Sequence, residues 1–178
     1  MSGGVDRVQV RARELEGAAL VELVAALAAA ARRERPGVEI LVNRRVDAAL
    51  AAGADGVHLG FDAMDVAAAR RVLGKDALVG VSTHCVDEVR AAAGASYVHL
   101  APVFAPLSKP ATREALGLAA VESAARAEVP VIAQGGIDAS NAGAVCAAGA
   151  AGVAVTGAVL MADDPASATA ALRRALGV

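Results

Sequence analysis

The chain has 178 residues, 56% of them hydrophobic, enough for one good core and short for two, so a single domain over residues 1–178 is expected. Lys+Arg of 17 against Asp+Glu of 19 leaves a formal charge of -2, with no basic block to neutralise a nucleic-acid backbone, so nucleic acid is not an expected partner. Aromatic residues make up 2% and tryptophan is absent, which leaves Val, Leu, Ile and Ala to build the core.

The opening, MSGGVDRVQVRAR, lacks the apolar core of a secretory signal, so a cytoplasmic location is expected. From there, short apolar runs predict strands at 7–11, 38–42, 56–59, 78–82, 97–101, 130–134 and 152–156. Ala-rich amphipathic stretches predict helices at 17–35, 45–52, 65–73, 86–93, 115–127, 139–148 and 165–176. One phrase recurs three times, as Ala51 to Gly60, Ala92 to Ala101 and Ala147 to Thr156. Each copy reads as the tail of a helix, a glycine (Gly53, Gly94, Gly149) where positive φ is least costly, and a buried strand. The uncharged stretch from Ala142 to Ala162 is long enough to raise a membrane span. Gly149, Gly152 and Gly157 divide it into a helix, a cap and a short strand, so no membrane partner is expected.

Strict βαβα alternation of apolar strands means a parallel sheet covered by helices. A doubly wound sheet and a (β/α)8 barrel compete. The repeat, and the lack of GxGxxG after any strand, favour the α/β TIM-type barrel. The standard barrel has eight strands, and this chain shows seven, apparently lacking the first βα unit.

In a barrel the C-terminal strand ends face the active site. Those ends carry Gln9, Arg11 and Arg13; Asn43, Arg44 and Arg45; Gly60 to Asp62; Ser82, Thr83 and His84; Ser108 and Lys109; Gln134, Gly135 and Gly136; and Thr156 with Gly157. The Gly135-Gly136 turn and the Val155-Thr156 turn, following adjacent strands, together suggest a phosphate cradle, though each alone is weak. His84, at a strand mouth, is the candidate acid/base; its competing reading is a cap for the helix starting near Asp87. His58 and His99 sit at equivalent places in two copies of the repeat and read as hydrogen-bonded core imidazoles. Cys85 and Cys146 form no CxxC pair or dense framework, and Cys146 reads as a small buried hydrophobe.

The motifs VQVRAR, VNRRVDAALAAGADGVHLG, GVSTH, YVHLAPVF with SKP, VPVIAQGGI and AGVAVTGAV, in this order, resemble the thiamine phosphate synthase and TenI superfamily over nearly the whole chain from Val5. The resemblance implies a (β/α)8 barrel, phosphate binding by Gly135, Gly136, Val155 and Thr156, and substrate contacts from Gln9, Arg11, Asn43, Ser82 and Lys109. It also implies two possible activities. The synthase joins a pyrimidine pyrophosphate to a thiazole phosphate with Mg2+, and its NDR and GQED motifs give carboxylates to the cation. Here those motifs read Asn43-Arg44-Arg45 and Gly60-Phe61-Asp62-Ala63, with Arg44 and Ala63 at the carboxylate positions; Asp62 is a possible substitute. Its TPTK loop reads Ala105-Pro106-Leu107-Ser108-Lys109, and its basic residue after QLRE is Arg13.

The expectation drawn from this departure is the TenI branch. Its thiazole tautomerase members lack the metal pair and carry a histidine in S-x-H, matching Ser82-Thr83-His84. The expected activity is isomerisation of a carboxythiazole phosphate by proton transfer through His84, with no metal and no cofactor. The synthase is the alternative, and a non-catalytic regulatory or ligand-binding relative is a third reading. The expected partner is a small phosphorylated thiazole. Family barrels begin with a βα unit ahead of VQVR, and Ser2-Gly3-Gly4 is too short to replace it. Unpaired strand edges near Val8 and Val153 would need cover, so either the chain begins upstream or the gap closes directly or through a partner; a homo-oligomer is expected.

Overall fold

A computed structural model describes residues 3–60, 63–105 and 113–178, so Phe61, Asp62, Ser108 and Lys109 lie outside the described residues. The chain divides into two compact units, Met1–Val81 and Ser82–Val178.

The first unit runs β1 (Arg7–Val10), α1 (Gly17–Glu34), β2 (Glu39–Asn43), α2 (Val46–Ala51), β3 (Gly56–Leu59), α3 (Val66–Leu73) and most of β4 (Leu78–Thr83). All pairings are parallel, with Val10 opposite Val42, Asn43 opposite His58, and Leu59 opposite Val81. Partnered residues in a parallel ladder share a face, so the register sorts the side chains into two sets. Val10, Ile40 and Val42 pack with Leu20, Val24, Ala28 and Ala31 of α1 and Ala48 and Ala49 of α2. Val57, Leu59 and Val79 pack with Ala69 of α3. The opposite face carries Gln9, Leu41, Gly56 and Leu78 in one row and Asn43, His58 and Gly80 in the next. A side chain at Gly56 would strike the backbone of Leu78, so glycine is required there by close approach.

The spacing Leu20, Val24, Ala28, Ala31 is the i, i+4, i+8, i+11 stripe that makes α1 a helix with one buried face. Asp55, in the turn before β3, ties this unit together. Its Oδ2 accepts from the Ile40 N–H at 2.7 Å and from Arg32 of α1 at 2.8 Å. Asp65 caps α3 by accepting from Ala68 N at 2.7 Å.

The second unit begins with the last residues of β4 and continues through α4 (Val86–Ala91), β5 (Tyr97–Leu100), α5 (Gly117–Ala124), β6 (Val131–Gln134), α6 (Ala142–Ala147), β7 (Gly152–Ala154), α7 (Gly157–Leu160) and α8 (Pro165–Leu176). β5, β6 and β7 are parallel, with His99 opposite Ile132 and Gln134 opposite Ala154. After Thr156 comes α7, a single turn, and α8 follows Asp164, whose side chain accepts from Ala166 N and Ser167 N. Gly53, Gly94 and Gly149 all have positive φ, as the repeated phrase demands. His58 and His99 are buried, as expected of core imidazoles.

The seven strands follow chain order, β1 to β7. A doubly wound sheet reverses its order part-way, so the arrangement is the TIM-type (β/α) one. Among the described residues, no helix is long and apolar enough to cross a membrane.

Candidate active site

In the first unit the chemistry-bearing residues gather at the C-terminal ends of β1 and β2. Gln9 lies within β1, and its side-chain Nε2 is buried with no hydrogen-bond partner among the described residues. A buried donor without an acceptor is unfavourable by about 1–3 kcal/mol. Arg11 and Arg13 follow directly and are exposed. Asn43 ends β2, half-buried beside His58, and the exposed Arg44 comes next. Arg44 has φ 65, the one non-glycine residue at positive φ among those described, and its N–H donates to the His58 carbonyl at 2.8 Å. Partial burial, then the charges of Arg13 and Arg44, push the Arg11 pKa down. Arg11 therefore lies within electrostatic reach of both Arg13 and Arg44. The Arg45 guanidinium donates to both carboxylate oxygens of Asp47, at 2.9 and 2.7 Å.

In the second unit, Ser82 and His84 lie at the end of β4, both half-buried. Thr83 fixes this end: its hydroxyl donates to the His99 carbonyl at 2.9 Å, and its own carbonyl accepts from Ala101 N at 3.0 Å. His84 Nδ1 sits 2.8 Å from the Ala101 carbonyl oxygen. A carbonyl only accepts, so Nδ1 carries the proton and a neutral ring presents Nε2 as an acceptor. The capping reading of His84 is thereby corrected. The N-cap of α4 is Cys85, and Glu88 reaches back to take the His84 backbone N–H at 2.6 Å, leaving the imidazole to Ala101.

Gly135 and Gly136 follow β6 with φ 97 and 61. A Cβ on Gly135 would lie 2.8 Å from Pro102 Cα, and one on Gly136 would strike the Ala105 carbonyl and Phe104. The glycine carbonyls are taken, by Phe104 N at 3.0 Å and Asn141 Nδ2 at 2.9 Å, while their N–H groups donate to no described residue. Asn141, which the sequence reading did not single out, thus ties the turn to the start of α6. Val155 and Thr156 follow β7, next to this turn through the Gln134–Ala154 pairing. Thr156 is exposed, and its hydroxyl makes no capping bond to α7. Lys109, the remaining substrate-contact expectation, lies outside the described residues.

Among the described residues, the donors do not fit the divalent cation implied by the resemblance. Arg44 puts a positive charge, and Ala63 a methyl, where carboxylates would be needed. Among the described residues, no cluster of three His, Cys, Asp or Glu side chains is placed to hold a metal.

Residues 1–159 match the family described as thiamine monophosphate synthase. The chain belongs to this family. It is 44% identical over 178 residues to the thiamine-phosphate synthase of Anaeromyxobacter dehalogenans, covering 98% of this chain and 79% of that protein. It is 45% identical over 184 residues to the thiamine biosynthesis bifunctional protein ThiM/ThiE of Symbiobacterium thermophilum, covering 99% of this chain but spanning only 38% of that longer protein. Thiamine phosphate pyrophosphorylase from Pyrococcus furiosus superposes with a TM-score of 0.88 at 30% identity, covering 99% of this chain and 85% of that one. These matches within the thiamine monophosphate synthase family overturn the expected thiazole tautomerase, and with it the isomerase class and the TenI branch. The relatives carry the name of the synthase, the alternative reading. The expectation failed because it let two substituted positions, Arg44 and Ala63, outweigh the likeness of the whole chain. Losing a metal carboxylate changes how phosphate charge is balanced, and does not by itself change which bond is made.

Proposed function

We propose that this chain is a thiamine-phosphate synthase, joining a pyrimidine diphosphate to a thiazole phosphate. The observation that carries the reading is the 41–45% identity, over nearly the whole chain, to proteins named thiamine-phosphate synthase. The chemistry on each unit supports it. The join breaks the carbon–oxygen bond to the diphosphate, the electron pair leaving on pyrophosphate, while the thiazole nitrogen supplies the pair for the new carbon–nitrogen bond. Negative charge grows on the leaving group, and fixed cations aimed at it lower the barrier. Arg11 and Arg13 are such cations, and the orphaned Gln9 amide and Asn43 supply neutral donors beside them.

On the second unit, the N–H groups of Gly135 and Gly136, with the Val155 backbone and the Thr156 hydroxyl, bind the phosphate of the thiazole. Ser82 and the Nε2 face of His84 position the heterocycle. The test is incubation of the purified chain with both substrates, followed by chromatographic detection of thiamine phosphate and pyrophosphate. Equimolar release of the two supports the reading. No thiamine phosphate, with or without Mg2+, overturns it.

A further inference from the structure

Three successive carbonyls at the end of β6 are engaged. The Gln134 carbonyl accepts from Val103 N at 2.8 Å, that of Gly135 from Phe104 N at 3.0 Å and that of Gly136 from Asn141 Nδ2 at 2.9 Å. The peptides joining residues 134–137 are trans, so in each plane the N–H points opposite to its carbonyl. Holding the three carbonyls therefore sets the directions of three N–H groups, those of Gly135, Gly136 and Ile137. None of the three donates to a described residue, although Ile137 is only 3% exposed. Backbone donors hold the first two planes, and the third is held by one side chain. The Asn141 amide suits that task because its Oδ1 takes the Asp138 N–H at 3.1 Å, which leaves Nδ2 to face the Gly136 carbonyl.

We propose that Asn141 is a positioning residue for the thiazole phosphate: through the Gly136 carbonyl it aims the Ile137 N–H, which joins those of Gly135 and Gly136 as a third backbone donor. The inference rests on the phosphate reading of this turn and adds both the extra donor and the side chain that directs it. A buried N–H is costly to leave unmet, and a phosphate has oxygens enough to accept from all three. The charge on the acceptor strengthens each bond, so misdirecting one plane costs affinity.

The experiment is titration of inorganic phosphate into the isotope-labelled full chain, followed by the amide proton shifts in NMR spectra. The amides of Gly135, Gly136 and Ile137 should move downfield together along one binding curve. In Asn141→Ala the Ile137 response should be lost and phosphate binding weakened about tenfold, with Gly136 still responding because Phe104 holds its plane. The same variant should raise KM for the thiazole phosphate by a similar factor and leave KM for the pyrimidine diphosphate as in the parent chain, a split that general loosening of the fold would not give. An Ile137 amide that stays still in the parent chain while both glycines respond overturns the inference and leaves the phosphate reading standing. A folded Asn141→Ala variant of unchanged phosphate affinity overturns it as well. Should that variant not fold, the titration of the parent chain still decides. If no amide of the turn responds, the phosphate reading fails and the inference falls with it. All three amides responding in a chain that forms no thiamine phosphate would sink the synthase reading alone.

Discussion

His84 Nδ1 donates to the Ala101 carbonyl across 2.8 Å, joining the end of β4 to the residue that follows β5. The bond sets the tautomer and leaves Nε2 as the ring's remaining hydrogen-bonding atom. Asparagine places an amide N–H near the Nδ1 position and has nothing at Nε2. His84→Asn should therefore keep a melting temperature close to that of the parent chain while raising KM for the thiazole phosphate about tenfold, with kcat less affected. An unchanged KM would take His84 out of the thiazole site.

Gly135 and Gly136 combine positive φ with close approach to residues 102–105. Alanine at either position forces backbone to move and should destabilise the chain by roughly 1–3 kcal/mol in urea unfolding. The same variants should lose inorganic phosphate binding, because shifting the turn misdirects its N–H groups. Alanine tolerated with phosphate binding intact would separate this turn from the phosphate.

Asp55 accepts from the buried Ile40 N–H and from Arg32. Asp55→Ala leaves that N–H without its acceptor and should lower stability by about 1.5–3 kcal/mol, measured by denaturant unfolding. Arg32→Ala breaks only the partly exposed ion pair, so its effect should stay under ~1 kcal/mol. Equal losses from the two variants would contradict this division.

The hydrogen bond from Arg45 holds the Asp47 carboxyl down at about 2 from its ordinary 3.8. A carboxylate with a depressed folded-state pKa adds stability above the unfolded value, and that stability is lost as pH falls through the folded one. The contribution should therefore be complete above about pH 5, mostly lost by about pH 2 and gone by about pH 1. Because the pair is exposed and screened, its size at neutral pH should be under ~1 kcal/mol. Asp47→Asn should differ from the parent chain in thermal unfolding at pH 6 and differ far less near pH 2. A gap undiminished at pH 2 would rule out the ion pair as its source.

Much of this protein was legible in its sequence because the signals are local. The spacing of Leu20, Val24, Ala28 and Ala31, the glycines at 53, 94 and 149, and Pro165 behind Asp164 each act within a turn or two of chain, and the corresponding elements stand where the pattern places them. The family is legible too, because its motifs run from Val8 to Val159 in fixed order. The activity was misread from Arg44 and Ala63, since a substitution reports what has been lost and not what has taken over its charge. Tertiary structure alone paired His84 with Ala101, gave the Ile40 N–H to Asp55, set Gly136 against Phe104 and left the Gln9 amide without an acceptor among the described residues. These are relationships between groups distant along the chain, and their energies depend on where packing brings each donor and acceptor, which no local period records.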